Sequence, residues 1–371
     1  MRAVKILGSL AAVCALAACS SATAGSSAGS TPEPGITTPA PVPTSPLTGL
    51  PQPEPKPVLI VKLDNTHNAQ PHAGLKDADV VYVEEVEYGI TRLAAVFSST
   101  VPKRIGPVRS ARITDIDLTA QYGSPAFAFS GVQRKMWPAI QASSVIDVSP
   151  NKDAANYSRD RSRYAPYNYF LNGVGALEFA SKASLDKDLG FVFADQAPAG
   201  GQVNTSARMK WSEASAQFTY DPVTGLYSIK LNGYPARAEE NSDGQNASTV
   251  IIQNVTQRPS KYFDKGGGNT PHAATIGTGT AVVLRDGMSY DVTWSRPSAD
   301  AGTTFTMADG SPMPFKPGQQ WIVLLDKTRP ATLLPKAKPS PTATSSSTPA
   351  PTSTSLVLPG KSPVAIEPGQ G

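Results

Sequence analysis

Proline constrains this chain more than any other residue type, because it is crowded into the two ends. Of 371 residues, 35 are Pro and 30 are Gly, and proline removes a backbone donor and breaks both helix interiors and central strands. From Ser20 to about Pro57 the chain reads "SSATAGSSAGSTPEPGITTPAPVPTSPLTGLPQPEPKP", and from Lys336 onward "KAKPSPTATSSSTPAPTSTSLVLPGKSPVAIEPGQG" has the same character. Such segments bury too little apolar surface to offset the entropy of ordering. They predict disordered, Pro/Ser/Thr-rich ends around a folded middle of roughly 280 residues, enough for two domains.

The N-terminus has a second character. "MRAVKILGSLAAVCALAAC" places Arg2 and Lys5 before an apolar run too short to span a bilayer, the layout of an export signal. It closes on Leu16-Ala17-Ala18-Cys19, which looks like a bacterial lipobox, cut before the cysteine whose sulfur then carries diacylglycerol. An ordinary secretory cut near Ala22 or Ala24, discarding Cys19, is the other reading. On the first, residues 1–18 are a lipoprotein signal peptide and 19–57 a lipidated tether that binds the membrane from the extracytoplasmic face. With 2 Cys, one in the removed run and one lipidated, the mature protein has no disulfide, thiol nucleophile or thiolate metal site.

Between the ends the pattern changes once. Residues 58–205 alternate strand-like runs ("VLIVKLDN", "DADVVYVEEVEY", "TRLAAVFSS") with helical ones, giving an α/β domain. "SARITDIDLTAQYG" has helical spacing of Ile113, Ile116 and Leu118, with Ser110 as its N-cap and Gly123 beyond its end. Residues 206–335 read as a smaller, mostly β domain whose hairpins reverse at Asp286-Gly287 and Asp309-Gly310, followed by the tail at 336–371. The fold class is therefore α+β.

The chemistry concentrates in "KRIGPVRSARITDIDL". Arg92, Arg104, Arg109 and Arg112 crowd around Gly106-Pro107, which predicts a turn opening a helix. A helix N-terminus carries about half a positive charge, so basic residues there need a negative partner. Either a bound anion or the acidic run Glu84, Glu85, Glu87 supplies it. Strand alternation puts Glu84 with Tyr82 and Val86 on one face, and Glu85 and Glu87 with Val83 on the other. Asp64, ending the first strand, either caps a turn with Asn65 or forms an acid/base pair with Glu84 or Glu87. His67, His72 and His272 lack zinc-site spacing, and no metal or cofactor is expected. "DKGGGNTPHAATIGTGTA" lacks the Lys-Ser/Thr pair of a phosphate loop, and no G-x-S-x-G elbow occurs. A formal charge of +4, from 33 Lys+Arg and 29 Asp+Glu, is too mild for a nucleic-acid binder.

"PLTGLP", "KLDNTHNAQPHAGLKDADVVYVEEVEYGITRLAAVF" and "RIGPVRSAR", followed in order by "VIIQNV", "GTGTAVVLRDGMSYDVTWSRP" and "DGSPMPFKPGQQWIVLL", resemble the YerB-like bacterial lipoproteins. The resemblance implies a two-domain envelope protein without naming an activity. Two positions depart from the family pattern: Tyr167 in "APYN" stands for a histidine, and Tyr88 for the first glycine of Glu-Gly-Gly. The expectation is a non-catalytic lipoprotein that binds peptidoglycan, an anionic wall polymer or an envelope protein through Asp64, Glu84, Glu87 and the four arginines. A wall hydrolase using carboxylates, and a scaffold or regulatory subunit of wall synthesis, are the alternatives.

Overall fold

The structure is a computed structural model that describes residues 42–241 and 244–335. The expectations for the signal peptide, Cys19, the tether before residue 42 and the tail after 335 lie outside the described residues.

A central sheet of 12 strands organises the described residues. Its N-terminal strands are β1 (Leu59–Asp64), β2 (Val80–Glu85) and β3 (Thr91–Phe97), followed by helix α1 (Ile113–Ala120), β4 (Ala126–Ala128), helix α2 (Trp137–Ala142) and β5 (Ile146–Asp147). The C-terminal half adds β9 (Thr249–Phe263), β10 (Asn269–Ala274), β11 (Gly277–Arg285), β12 (Met288–Arg296) and β13 (Gln320–Asp326) to this sheet, and outside it forms β6 (Ser206–Lys210), β7 (Ser215–Asp221), β8 (Leu226–Leu231) and β14 (Thr332–Leu334). The order β12-β11-β9-β13-β2-β3-β1-β4-β5 runs across both halves, with β13 parallel to both β9 and β2.

Each face of this sheet is covered, which is why β1 is buried along its whole length instead of in alternation. One face packs on a second sheet of β6, β7, β8 and β14, where Phe218 meets Trp321 edge-on at 5.8 Å. β8, with only one covered face, alternates buried and less buried residues. The other face packs on α1 and α2 through Leu118, Tyr122, Met136 and Ile140. The described chain is strand-rich with few helices, and both halves enter one sheet.

Two expectations are corrected here. The tether does not run to residue 57: Leu47 is fully buried, and 42–57 is tied down by a polar network. Asp186 accepts from Gln52 Nε2 at 2.6 Å and from the Lys56 amide at 2.9 Å, and Ser99 Oγ donates to Gln52 Oε1 at 3.1 Å. Prolines in this stretch fit because the segment forms turns and single bridges, not ladders. Second, Gly106-Pro107 opens no helix. The chain there is extended, and Arg109 N donates to Lys62 O at 2.8 Å along the part of the β1 edge that β4 does not reach. The helix begins later, with Arg112 as its N-cap residue, and Ser110 is not the cap. The Asp286-Gly287 hairpin forms as expected, with φ of 51° and 72°.

Leu47→Ala should cost about 2–5 kcal/mol in urea unfolding; an unchanged midpoint would mean that 42–57 is a loose tether after all. Asp79 accepts from the amides of Ser98 and Ser99 in the same network, and burial pushes its carboxyl up to about 6. The folded state holds this proton more tightly than the unfolded chain, so stability falls as pH rises from about 4 to about 6 and is level above. Asp79→Asn should remove that step, on the order of 3 kcal/mol, from the pH profile of unfolding.

Candidate functional site

Lys62 lies in the middle of β1 and is fully buried. A buried ammonium must be paired, and its Nζ is 2.6 Å from both Glu84 Oε1 and Asp115 Oδ1. Burial, then the Asp115 carboxylate, pushes Glu84 upward against the opposing pull of Lys62. Asp115 also uses Oδ2 to accept the Arg112 amide at 2.6 Å, an N3 carboxylate satisfying the N-cap amide of α1. One side chain thus joins the buried lysine to the helix start.

Register places the remaining groups. Asp64 and Glu84 lie directly across from Arg92 on its two neighbouring strands. Asp64 Oδ2 is 2.6 Å from Arg109 Nε, while its Oδ1 accepts from the amide and hydroxyl of Thr66. Arg112 grips Glu87 through Nε at 2.6 Å and Nη2 at 2.7 Å, and Glu87 also accepts from the Thr270 hydroxyl. Burial works to raise Glu87, and Arg112 more than offsets it, leaving the carboxyl below its ordinary range. Arg92 differs: Nη1 donates to Ser110 O at 2.8 Å, yet no carboxylate lies within 4.0 Å of it among the described residues. It is only 5% exposed, and burial together with Arg112 and Arg109 pushes its guanidinium down to about 9. At neutral pH it is still charged.

Of the residues singled out from sequence, Asp64, Glu84, Glu87, Arg92, Arg109 and Arg112 converge at this end of the sheet. Arg104 does not. It pairs with Asp160 at 2.6 Å and Glu239 at 3.1 Å and stacks on Phe170 at 3.7 Å. Isolated bridges tie Ile105 to Leu171 and Val108 to Leu63, so Arg104 and Arg109 are held beside different parts of the chain. Glu87 also departs from the expected face. β2 ends at Glu85, and Glu87–Gly89 forms a tight turn in which Tyr88 has φ 62°, a left-handed value that favours glycine. That turn carries Glu87 to the Arg112 side, while Glu85 pairs with Arg329 at 2.8 Å.

No carboxylate pair is free for acid/base work, since Asp64, Glu84 and Glu87 are all held in ion pairs. His72 is fully buried, pushed down by that burial, and its Nε2–H donates to Asp64 O at 2.6 Å. Beside Arg112 opens a cleft of about 330 Å³, bounded also by Glu87, Ser110 and Lys265. Sequence reasoning missed Lys62 and Asp115; the signal was a lysine inside the otherwise apolar run "VLIVKL".

A family described as "Protein of unknown function (DUF3048) N-terminal domain" matches residues 47–186, and its C-terminal domain matches 207–322. The chain belongs to the YerB-like DUF3048 family. Its two matched segments contribute strands to the same central sheet. "Putative lipoprotein YerB" of Bacillus subtilis (strain 168) is 25% identical over 294 residues, covering 75% of this chain and 85% of that protein. The crystal structure of Bacillus subtilis YerB superposes with a TM-score of 0.65 at 20% identity, covering 78% of this chain and 99% of that one, so the fold is shared.

Asp115→Ala takes one of its two carboxylates from Lys62 and leaves the Arg112 amide without its partner. Urea unfolding should show a loss of about 1–3 kcal/mol, whereas an unchanged midpoint would mean that Glu84 alone serves the lysine.

Proposed function

We propose that this YerB-like protein is a membrane-tethered, extracytoplasmic binding protein. Its arginine cluster holds an anionic group of a cell-envelope component, such as a carboxylate or phosphate of peptidoglycan or of a wall polymer. The observation that carries the reading is Arg92, a buried guanidinium with no carboxylate of its own among the described residues. Arg109 and Arg112 are paired with Asp64 and Glu87, and Lys62 with Glu84 and Asp115, so among the cations of this cluster Arg92 alone has no carboxylate in direct contact among the described residues. A buried cation without a counter-ion is costly, and a bound monoanion would relieve that cost through the planar donors of the guanidinium. The lipobox-like Leu16-Ala17-Ala18-Cys19 and the lipoprotein name of the Bacillus subtilis relative support the address.

Stability and binding should move in opposite directions when Arg92 is replaced. Arg92→Gln is expected to leave the midpoint of unfolding unchanged or to raise stability by up to about 3 kcal/mol, because an uncompensated buried charge is removed. The same variant should lose retention on isolated cell-wall fragments, which the parent protein binds in a salt-sensitive way without releasing soluble sugar. A destabilised variant that still co-sediments with the fragments would assign Arg92 a purely structural role and end this reading.

A further inference from the structure

The widest cleft described lies away from the arginine cluster. It has a volume of about 710 Å³, within the roughly 300–1,000 Å³ typical of small-molecule sites. Trp137, the first residue of α2, lines it together with Val145; Trp137 is half-buried, its ring centroid 6.0 Å from that of Phe129. The rim is polar. Among the described residues, the Gln141 and Asn151 amides, the Arg134 guanidinium and the Lys152 ammonium make no hydrogen bond or ion pair, and Asp147 commits only Oδ1, to the Ser149 amide.

We propose that this cleft binds an acidic oligosaccharide, with a sugar ring on Trp137 and its acidic groups on Arg134 and Lys152. A pyranose has an apolar face of C–H bonds and a rim of hydroxyls. The first suits an aromatic ring that lines a cleft. The second suits side chains that both donate and accept, which amides and a carboxylate together provide. Two unpaired cations against one carboxylate leave a positive balance, so the saccharide that fits carries negative charge. The site is separate from the one at Arg92. The two clefts share no lining residue: of the turn that leads into α2, Arg134 lines this one, and Gln133 and Met136 line the smaller one beside Arg112.

Calorimetric titration of the full chain with tetragalacturonate tests this, with cellotetraose and tetraglutamate in parallel. Tetragalacturonate should bind, cellotetraose and tetraglutamate should each bind about tenfold more weakly, and the exposed pair Arg134→Gln/Lys152→Gln should weaken tetragalacturonate about tenfold. Trp137→Ala should have a similar effect; if it fails to fold, the charge pair alone decides. No binding of tetragalacturonate, equal binding of tetraglutamate, or indifference to the charge pair overturns the proposal. So does binding that Arg92→Gln abolishes and the charge pair spares, because that signal would belong to the arginine cluster.

Discussion

A lysine in the middle of a strand covered on both faces sets the terms for the rest of this molecule. Lys62 has no route to water, so the fold has to bring carboxylates to it, and it brings two. Glu84 arrives from the strand two places away in the same sheet, and Asp115 from the first turn of the helix above. Because Asp115 also holds the Arg112 amide, the position of α1 over the sheet is tied to the pairing of the lysine. The Arg109 amide is bonded to the carbonyl of Lys62 itself. Guanidinium placement thus follows from the burial of one ammonium.

Charge bookkeeping then separates structural from available groups. Arg112 uses a fork on Glu87 and its third nitrogen on the Ala111 carbonyl, so its donors are largely committed. Arg109 shares its charge with an Asp64 already bonded to Thr66. Of the two alternatives drawn from the sequence, neutralisation by acidic residues accounts for Arg112 through Glu87, and Arg92 is left with a carbonyl but no carboxylate in contact among the described residues. The same arrangement speaks against carboxylate acid/base chemistry here, since each carboxylate is engaged by a cation.

Much of this was legible where local rules dominate. The Asp286-Gly287 hairpin and Gly123 past the end of α1 both follow from turn chemistry and capping. Glu87, in the acidic run, was legible as a charge partner for the arginines, whereas Asp64 was read as a turn cap or an acid/base group and its pairing with Arg109 emerges only from the fold. Lys62 was not legible, because a lysine in a strand is ordinarily taken to point at solvent, and only the second covering layer reverses that. Arg104 was misplaced because nearness in sequence says little about nearness in space when the chain is extended. Tyr88 was visible as a departure from Glu-Gly-Gly, yet its left-handed φ, which brings Glu87 to Arg112, emerges only from the fold.

The division into two sequence halves hides the most non-local feature of the fold. β13, near the end of the described chain, inserts between β9 and β2 and pairs in parallel with both. Without it β2 would present an unpaired edge, which sheet proteins guard against. β2 carries Glu84, and its partner β3 carries Arg92, so the acidic and basic ends of the site rest on a strand contributed from beyond residue 319. Contacts of such sequence separation cannot form before most of the chain is present, and they make assembly slow relative to local hairpins. The halves are thus separable as sequence patterns and inseparable as a packed structure. The charge cluster belongs to the whole sheet and not to the segment in which its arginines are written.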